Sequence, residues 1–125
     1  MRAVHSDKMP KSNGHYSQCI EHQGMLYLSG QLPFHPETRL IPEGIAAQAL
    51  QVLQNIALIL RESGSNKNQI IQMRIYIPDI SLWEEVNKVY SDFFGNHKPA
   101  RCVIPVRELH HGSLVEMEAT AYVQE

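Results

Sequence analysis

Arg101 follows Pro99 and Ala100 at the opening of an alternating, strand-like segment. A strand end is a rigid place from which to aim a side chain, and a guanidinium offers a planar fork that matches a carboxylate bidentately. Shielded from water, each such charge-assisted hydrogen bond contributes about 1.5–3 kcal/mol. On residue type alone, a solvated or structural ion pair explains an arginine at least as well. Glu116 and Glu118 lie two residues apart on another alternating segment and therefore share a strand face. Paired carboxylates can divide acid and base roles, because mutual repulsion separates their pKa values. A carboxylate in a cleft can also hold a water for attack on a C=N carbon. A polar interface or a solvated face accounts for the same spacing.

Other reactive residue types carry less. The seven histidines show neither an H-x-x-x-H pair nor an HExxH motif, and the adjacent His110-His111 precede Gly112 as a surface turn would. No metal site is expected. Cys19 and Cys102 are far apart with no CxxC spacing. Cys102 shares parity with Ile104 and Val106, so both cysteines read as small buried hydrophobes rather than nucleophiles. Ser29-Gly30 ends an apolar run, where glycine lets a backbone N–H approach a ligand closely.

The scaffold that must position these groups is small. A chain of 125 residues, 43% hydrophobic and 19% charged, has the size and composition of one domain spanning residues 1–125 with a single core. The formal net charge of -2 leaves no basic face for a nucleic-acid backbone. No apolar run approaches the roughly 20 residues needed to cross a bilayer, and the polar N-terminal stretch lacks a signal-peptide core. A cytoplasmic protein in a reducing compartment is the expectation.

Periodicity predicts a helix over Glu43–Ser63, with Ala49, Leu53, Ile56 and Leu60 along its apolar stripe. Pro42 would sit in its first turn and Gly64 at its left-handed stop. A second helix is predicted over Ser81–Phe94, capped by Ser81 with Glu84 completing a capping box, and burying Leu82, Val86, Val89 and Phe93. Ser17–His22 and Met25–Gln31 flank Gln23-Gly24 as a hairpin. Further strands are predicted over Gln69–Ile77, Arg101–Arg107 and Leu114–Val123, with Pro105 confining its strand to an edge or a bulge.

The order is therefore β-β-α-β-α-β-β, an α+β domain with a mixed sheet and both helices packed on one face. Ile71, Met73, Ile75 and Ile77, with the apolar face of the last strand, would meet the helices. The opposite face, carrying Gln72, Arg74, Tyr76, Glu116, Thr120 and Tyr122, is too polar for a core yet suits an interface between copies of the chain.

Taken in order, short segments resemble the reactive intermediate deaminase (Rid, or YjgF) family, which is also described as endoribonuclease L-PSP-like. Gly14-His15-Tyr16-Ser17-Gln18-Cys19 resembles its GPYSQA opening, and Leu28-Ser29-Gly30-Gln31-Leu32-Pro33 its SGQ-x-P strand end. Gln48 and Asn55 stand where the family's first helix carries Q and N. Tyr76-Ile77-Pro78-Asp79 is similar to its strand-to-helix corner, and Asn87-Lys88-Val89-Tyr90 to its N-x-x-Y. Pro99-Ala100-Arg101 matches PAR, and Val115-Glu116-Met117-Glu118-Ala119 its closing IEIEA. The order and spacing together cover most of the chain.

The resemblance implies a chorismate-mutase-like (bacillary type) fold, a homotrimer, and sites in the clefts between subunits. It implies hydrolysis of enamines and imines such as 2-aminoacrylate to 2-oxo acids and ammonia, with no metal or organic cofactor. Arg101 would grip the substrate carboxylate and Glu116 would hold or activate the water. Tyr16, Ser29, Gly30 and Asn87 match positions around the ligand, and the Val103 backbone would join Gly30 at the imine end. His15 stands in place of a proline, Val103 where some deaminases have cysteine, and Leu109-His110-His111-Gly112 in place of L-P-K-G. These departures bear on substrate choice.

Three rival readings share the same residues. A non-catalytic module that binds a 2-oxo acid or another small carboxylate would use Arg101 but not Glu116. A ribonuclease or translation inhibitor would need the basic stripe that the charge balance lacks. A chorismate mutase would need several cations for a dicarboxylate, and Arg101 is the one well-placed candidate.

Overall fold

The computed structural model describes residues 1–11 and 13–123. Six strands and two helices follow in the order β1 (Arg2–Val4), β2 (Cys19–His22), β3 (Met25–Gln31), α1 (Ile45–Glu62), β4 (Ile70–Ile77), α2 (Trp83–Phe94), β5 (Ala100–Pro105) and β6 (Glu116–Tyr122). The α+β class and the five anticipated strands are present. β1 is an addition. Its three residues are too few for a detectable period, and they pair with β2 beside an Arg2–Glu21 ion pair.

All six strands form one sheet, ordered β1-β2-β3-β6-β4-β5. The last strand inserts at the centre, antiparallel to both β3 and β4, so those two run parallel on either side of it. β4 and β5 pair in parallel through α2. Insertion of β6 between β3 and β4 pairs segments far apart along the chain, which makes the fold rich in non-local contacts. β5 is the edge, as Pro105 requires.

Local signals explain most element ends. Gln23 and Gly24 both take positive φ (51° and 78°), the I′-like conformation whose twist suits a two-residue hairpin. α1 stops as expected at Gly64 (φ 82°), where Ser65 N–H reaches back to Leu60 O. Its start differs from expectation. The helix begins at Ile45 after Gly44 (φ 87°), and Pro42 lies before it, accepting a hydrogen bond from Gln48 Nε2 at 3.0 Å. The Ser81 capping box is also absent. Asp79 accepts from Ser81 N–H at 2.9 Å and opens a short 3₁₀ turn over Ile80–Leu82, so α2 starts only at Trp83, with Glu84 and Glu85 near its positive end.

One face of the sheet meets both helices. Leu26, Leu53, Ile56, Ile75 and Met117 are fully buried there, each worth about 1.5–3 kcal/mol of transfer free energy. β6 alternates as anticipated, with Met117, Ala119 and Ala121 inward. Two strand faces need correction. A bulge between Ile70 and Gln72 turns Ile71 outward and buries Ile70 instead. Cys102 is exposed, because register pairs it with Arg74 on the helix-free face and places Arg101 and Val103 under α2. Cys19 is buried as expected. α2 is likewise rotated from expectation: Val86, Tyr90 and Phe94 form its buried line, while Leu82, Val89 and Phe93 are half-buried. Among the described residues no helix is long and apolar enough to cross a membrane.

Candidate functional site

Arg101 enters β5 opposite Met73, so its side chain points to the helix side of the sheet. There α2 presents three groups at helical spacing. Arg101 Nη1 donates to Asn87 Oδ1 at 2.8 Å, and the guanidinium carbon lies 4.9 Å from the Tyr90 ring centroid and 5.7 Å from that of Trp83. Rings at these distances hold a cation by their quadrupoles, worth about 0.5–1 kcal/mol each at a partly open site. Arg101 forms no ion pair among the described residues. The guanidinium is therefore held in place by neutral partners, with its charge left uncompensated in a hollow of about 300 Å³ that Pro99 and Asn87 also line. Burial pushes the Tyr90 phenol up to about 12, against the opposing pull of Arg101, and the hydroxyl has no hydrogen-bond partner among the described residues.

Glu116 sits on the opposite face. It pairs with Tyr76 where β6 begins, in a recess that Gly30, Val106 and Glu118 also border. Burial raises its pKa above the ordinary carboxylate value, and repulsion from Glu118 adds to the rise, while His110 opposes it. Glu118 is engaged differently: it accepts the Tyr76 hydroxyl, a bond that with burial pushes the phenol up to about 12. The two carboxylates thus occupy unlike settings, the condition for separate roles.

Gly30 is fitted to Glu116. A Cβ built there would lie 2.6 Å from Glu116 Oε2, so only glycine lets the carboxylate rest over the end of β3. Gly30 also borders a second cavity of about 430 Å³, lined in part by Tyr16, Phe34, His110 and His111. Ser29 is committed elsewhere, its hydroxyl donating to Ser17 O at 2.6 Å. Val103 lies two residues beyond Arg101 on the edge strand, half-buried on the same side.

Within one chain the expected residues therefore fall into two groups. Tyr16, Gly30 and Glu116 gather at the end of β3; Arg101, Asn87 and Val103 gather between β5 and α2 on the other face of the sheet. Two parts of the arrangement escape the sequence reading. Trp83 and Tyr90 help to cradle Arg101, and their i, i+4, i+7 spacing with Asn87 is the signal that could have found them. The His110-His111 turn is exposed as expected but lines the cavity beside Gly30. Among the described residues no cluster of three or more His, Cys, Asp or Glu side chains could hold a metal ion.

A family model described as endoribonuclease L-PSP matches residues 6–123. A RutC family protein of Pyrococcus abyssi is 39% identical over 95% of this chain and 94% of its own length. The crystal structure of RidA from the Antarctic bacterium Psychrobacter superposes with a TM-score of 0.93 at 34% identity, covering 98% of this chain and 100% of that one. That of E. coli TdcF with bound serine gives 0.93 at 30% identity, covering 99% and 100%. A family model matched over residues 6–123, and relatives alike in sequence and fold over nearly their whole length, identify this chain as a member of the Rid (YjgF, endoribonuclease L-PSP) family.

Proposed function

We propose that this protein hydrolyses reactive enamine and imine intermediates of the 2-aminoacrylate type to 2-oxo acids and ammonia. The observation that carries the reading is Arg101. A guanidinium fixed by Asn87, Tyr90 and Trp83, with no carboxylate partner among the described residues, is suited to receive one from a ligand. The serine held by E. coli TdcF is a small 2-amino acid, of the same carboxylate-bearing class.

Glu116 supplies the water. Its raised pKa brings its basicity nearer to neutrality, where a general base is most effective. Water adds to the C=N carbon: a C–O bond forms as Glu116 takes a proton from the water, the C=N π pair moves to nitrogen, and nitrogen takes a proton from solvent. The resulting carbinolamine then breaks its C–N bond: Glu116 returns its proton to the departing nitrogen, the hydroxyl proton passes to solvent, and ammonia and the 2-oxo acid are left. Fixing the carboxylate at Arg101 orients the carbon toward that water. No cofactor enters the balance.

Arg101 and Glu116 lie on opposite faces of one sheet, so one ligand reaches both only across two copies of the chain. A homotrimer is therefore part of the proposal. The helix-free face, with Tyr27, Ile71, Ile104 and Tyr122 exposed, offers the surface. A second reading, binding of a small carboxylate without turnover, rests on the same Arg101 and needs no Glu116. The experiment generates imines in situ from amino acids and follows 2-oxo acid formation with wild type, Arg101→Ala and Glu116→Ala. Acceleration lost in both variants, and partly restored when the two are refolded together as mixed oligomers, is the expected result. Acceleration that survives Glu116→Ala removes the water-activating role. No acceleration of any imine, with 2-oxo acid still bound, favours the second reading.

A further inference from the structure

The cavity of about 430 Å³ at the end of β3 is used by neither Arg101 nor Glu116, yet it shares Gly30 with the recess that holds Glu116. Its volume lies within the range of small-molecule sites. Three of the amides on its walls already bond the chain itself. Gln18 bonds Ser6 N and Pro10 O, Gln31 bonds Ser29 O, and Asn55 bonds Phe34 O and Leu32 O. Beside Asn13 and the cation Lys11, the cavity offers a ligand ring and hydrocarbon surface, from Tyr16, Leu32, Phe34, His110 and His111.

The rings are arranged as a wall. His111 has a φ of 61°, a conformation that side-chain-bearing residues rarely adopt. From there its ring meets Phe34 edge-on, with centroids 5.1 Å apart and planes at 75°. It also stacks on His110 at 4.4 Å and 21°. Both histidines stay exposed, so the stack is formed but not covered by the chain. Edge-to-face and offset contacts of this kind are what another ring would extend.

We infer that this cavity receives the substrate's side chain and that the His110-His111-Phe34 wall selects imines of aromatic 2-amino acids over those of two- to four-carbon ones. The inference rests on the deaminase reading, because Gly30 places the cavity beside the carbon that the Glu116-held water attacks.

The test uses the full chain. Imines are generated from phenylalanine and from 2-aminobutyrate by an L-amino acid oxidase, and from aspartate by an aspartate oxidase. Initial rates of 2-oxo acid formation give kcat/KM for wild type, His111→Asn and Phe34→Leu; asparagine is chosen because it tolerates a left-handed φ. Wild type is expected to favour the phenylalanine imine. The aromatic-to-small ratio should fall about threefold to tenfold in each variant, the range ring–ring contacts command. A ratio unchanged in both folded variants, or a wild type that prefers the 2-aminobutyrate imine, overturns the inference. Preference for the aspartate imine also overturns it and assigns the cavity to its cation Lys11.

Calorimetric binding of phenylpyruvate and 2-oxobutyrate to the same proteins separates the two readings. If no imine is accelerated but phenylpyruvate binds more tightly and loses that advantage in both variants, the aromatic wall stands without the deaminase. If imines turn over with an unaltered ratio, the deaminase stands without the wall.

Discussion

Replacing Gly30 by alanine tests the site through one methyl group. The new Cβ would lie 2.6 Å from Glu116 Oε2 and 3.2 Å from its carboxyl carbon. To regain an ordinary contact of 3.4 Å the oxygen must retreat by about 0.8 Å. Misplacement of a catalytic group by about 1 Å can cost on the order of 10²-fold in rate, so a fall of roughly 10- to 100-fold in kcat is expected. Stability should not follow. Gly30 is not among the positive-φ glycines, and the atom it would strike is the free end of a long side chain. Removing glycine's freedom from the unfolded chain adds about 0.4–1 kcal/mol. The assay is 2-oxo acid formation from an imine generated in situ, with a thermal melt of each variant. Glu116→Ala and the double variant complete the cycle. If alanine acts by moving Glu116, it costs nothing further once Glu116 is gone. Activity of Gly30→Ala within twofold of wild type would refute the reasoning. So would a melting temperature lowered by more than about 5 °C, or an additional loss in the double variant, which would mean that the methyl obstructs the ligand itself.

Arg101→Lys keeps the charge and loses the fork; kcat/KM should drop by roughly 10- to 100-fold, the worth of one charge-assisted hydrogen bond, and a change under threefold would remove bidentate carboxylate binding. Glu116 has a raised pKa, so its contribution to stability is fully present below the ordinary 4.5 and is lost as pH rises through the raised value. Urea titrations should therefore show Glu116→Gln gaining on wild type as pH rises from below 4.5 through the raised value, whereas a constant difference would contradict the burial and repulsion at this carboxylate. The same group predicts an acid limb in the wild-type kcat profile at a pH above that of an ordinary carboxylate. Asn55, 1% exposed, holds Phe34 O at 2.7 Å and Leu32 O; Asn55→Ala should lower the unfolding free energy by about 1–3 kcal/mol, and a loss under 0.5 kcal/mol in denaturant titration would show that these carbonyls find other partners.

What could be read from the sequence is what depends on neighbours within a turn or a strand. The apolar stripe of α1, the Gln23-Gly24 hairpin, the alternation of β6 and the edge position of β5 at Pro105 all belong to this class. The ordered motifs around Arg101 and Glu116 carried the family as well. Helix ends were less legible, because competing caps lie a few residues apart: Asp79, not Ser81, makes the bond that opens the turn before α2. Strand faces were less legible again. A period of two states which residues share a side but not which side meets the helices: parity with Ile104 and Val106 suggests the buried face for Cys102, whereas it pairs with Arg74 on the open one. One inserted residue in β4 likewise exchanged Ile70 for Ile71.

Only the tertiary structure decided that β6 enters between β3 and β4, that Trp83, Asn87 and Tyr90 close around Arg101, that Gly30 makes room for Glu116, and that Arg101 and Glu116 face opposite sides of one sheet. Each of these follows from pairing between segments distant along the chain. Their register is set by the burial of whole faces rather than by any local preference of the residues involved.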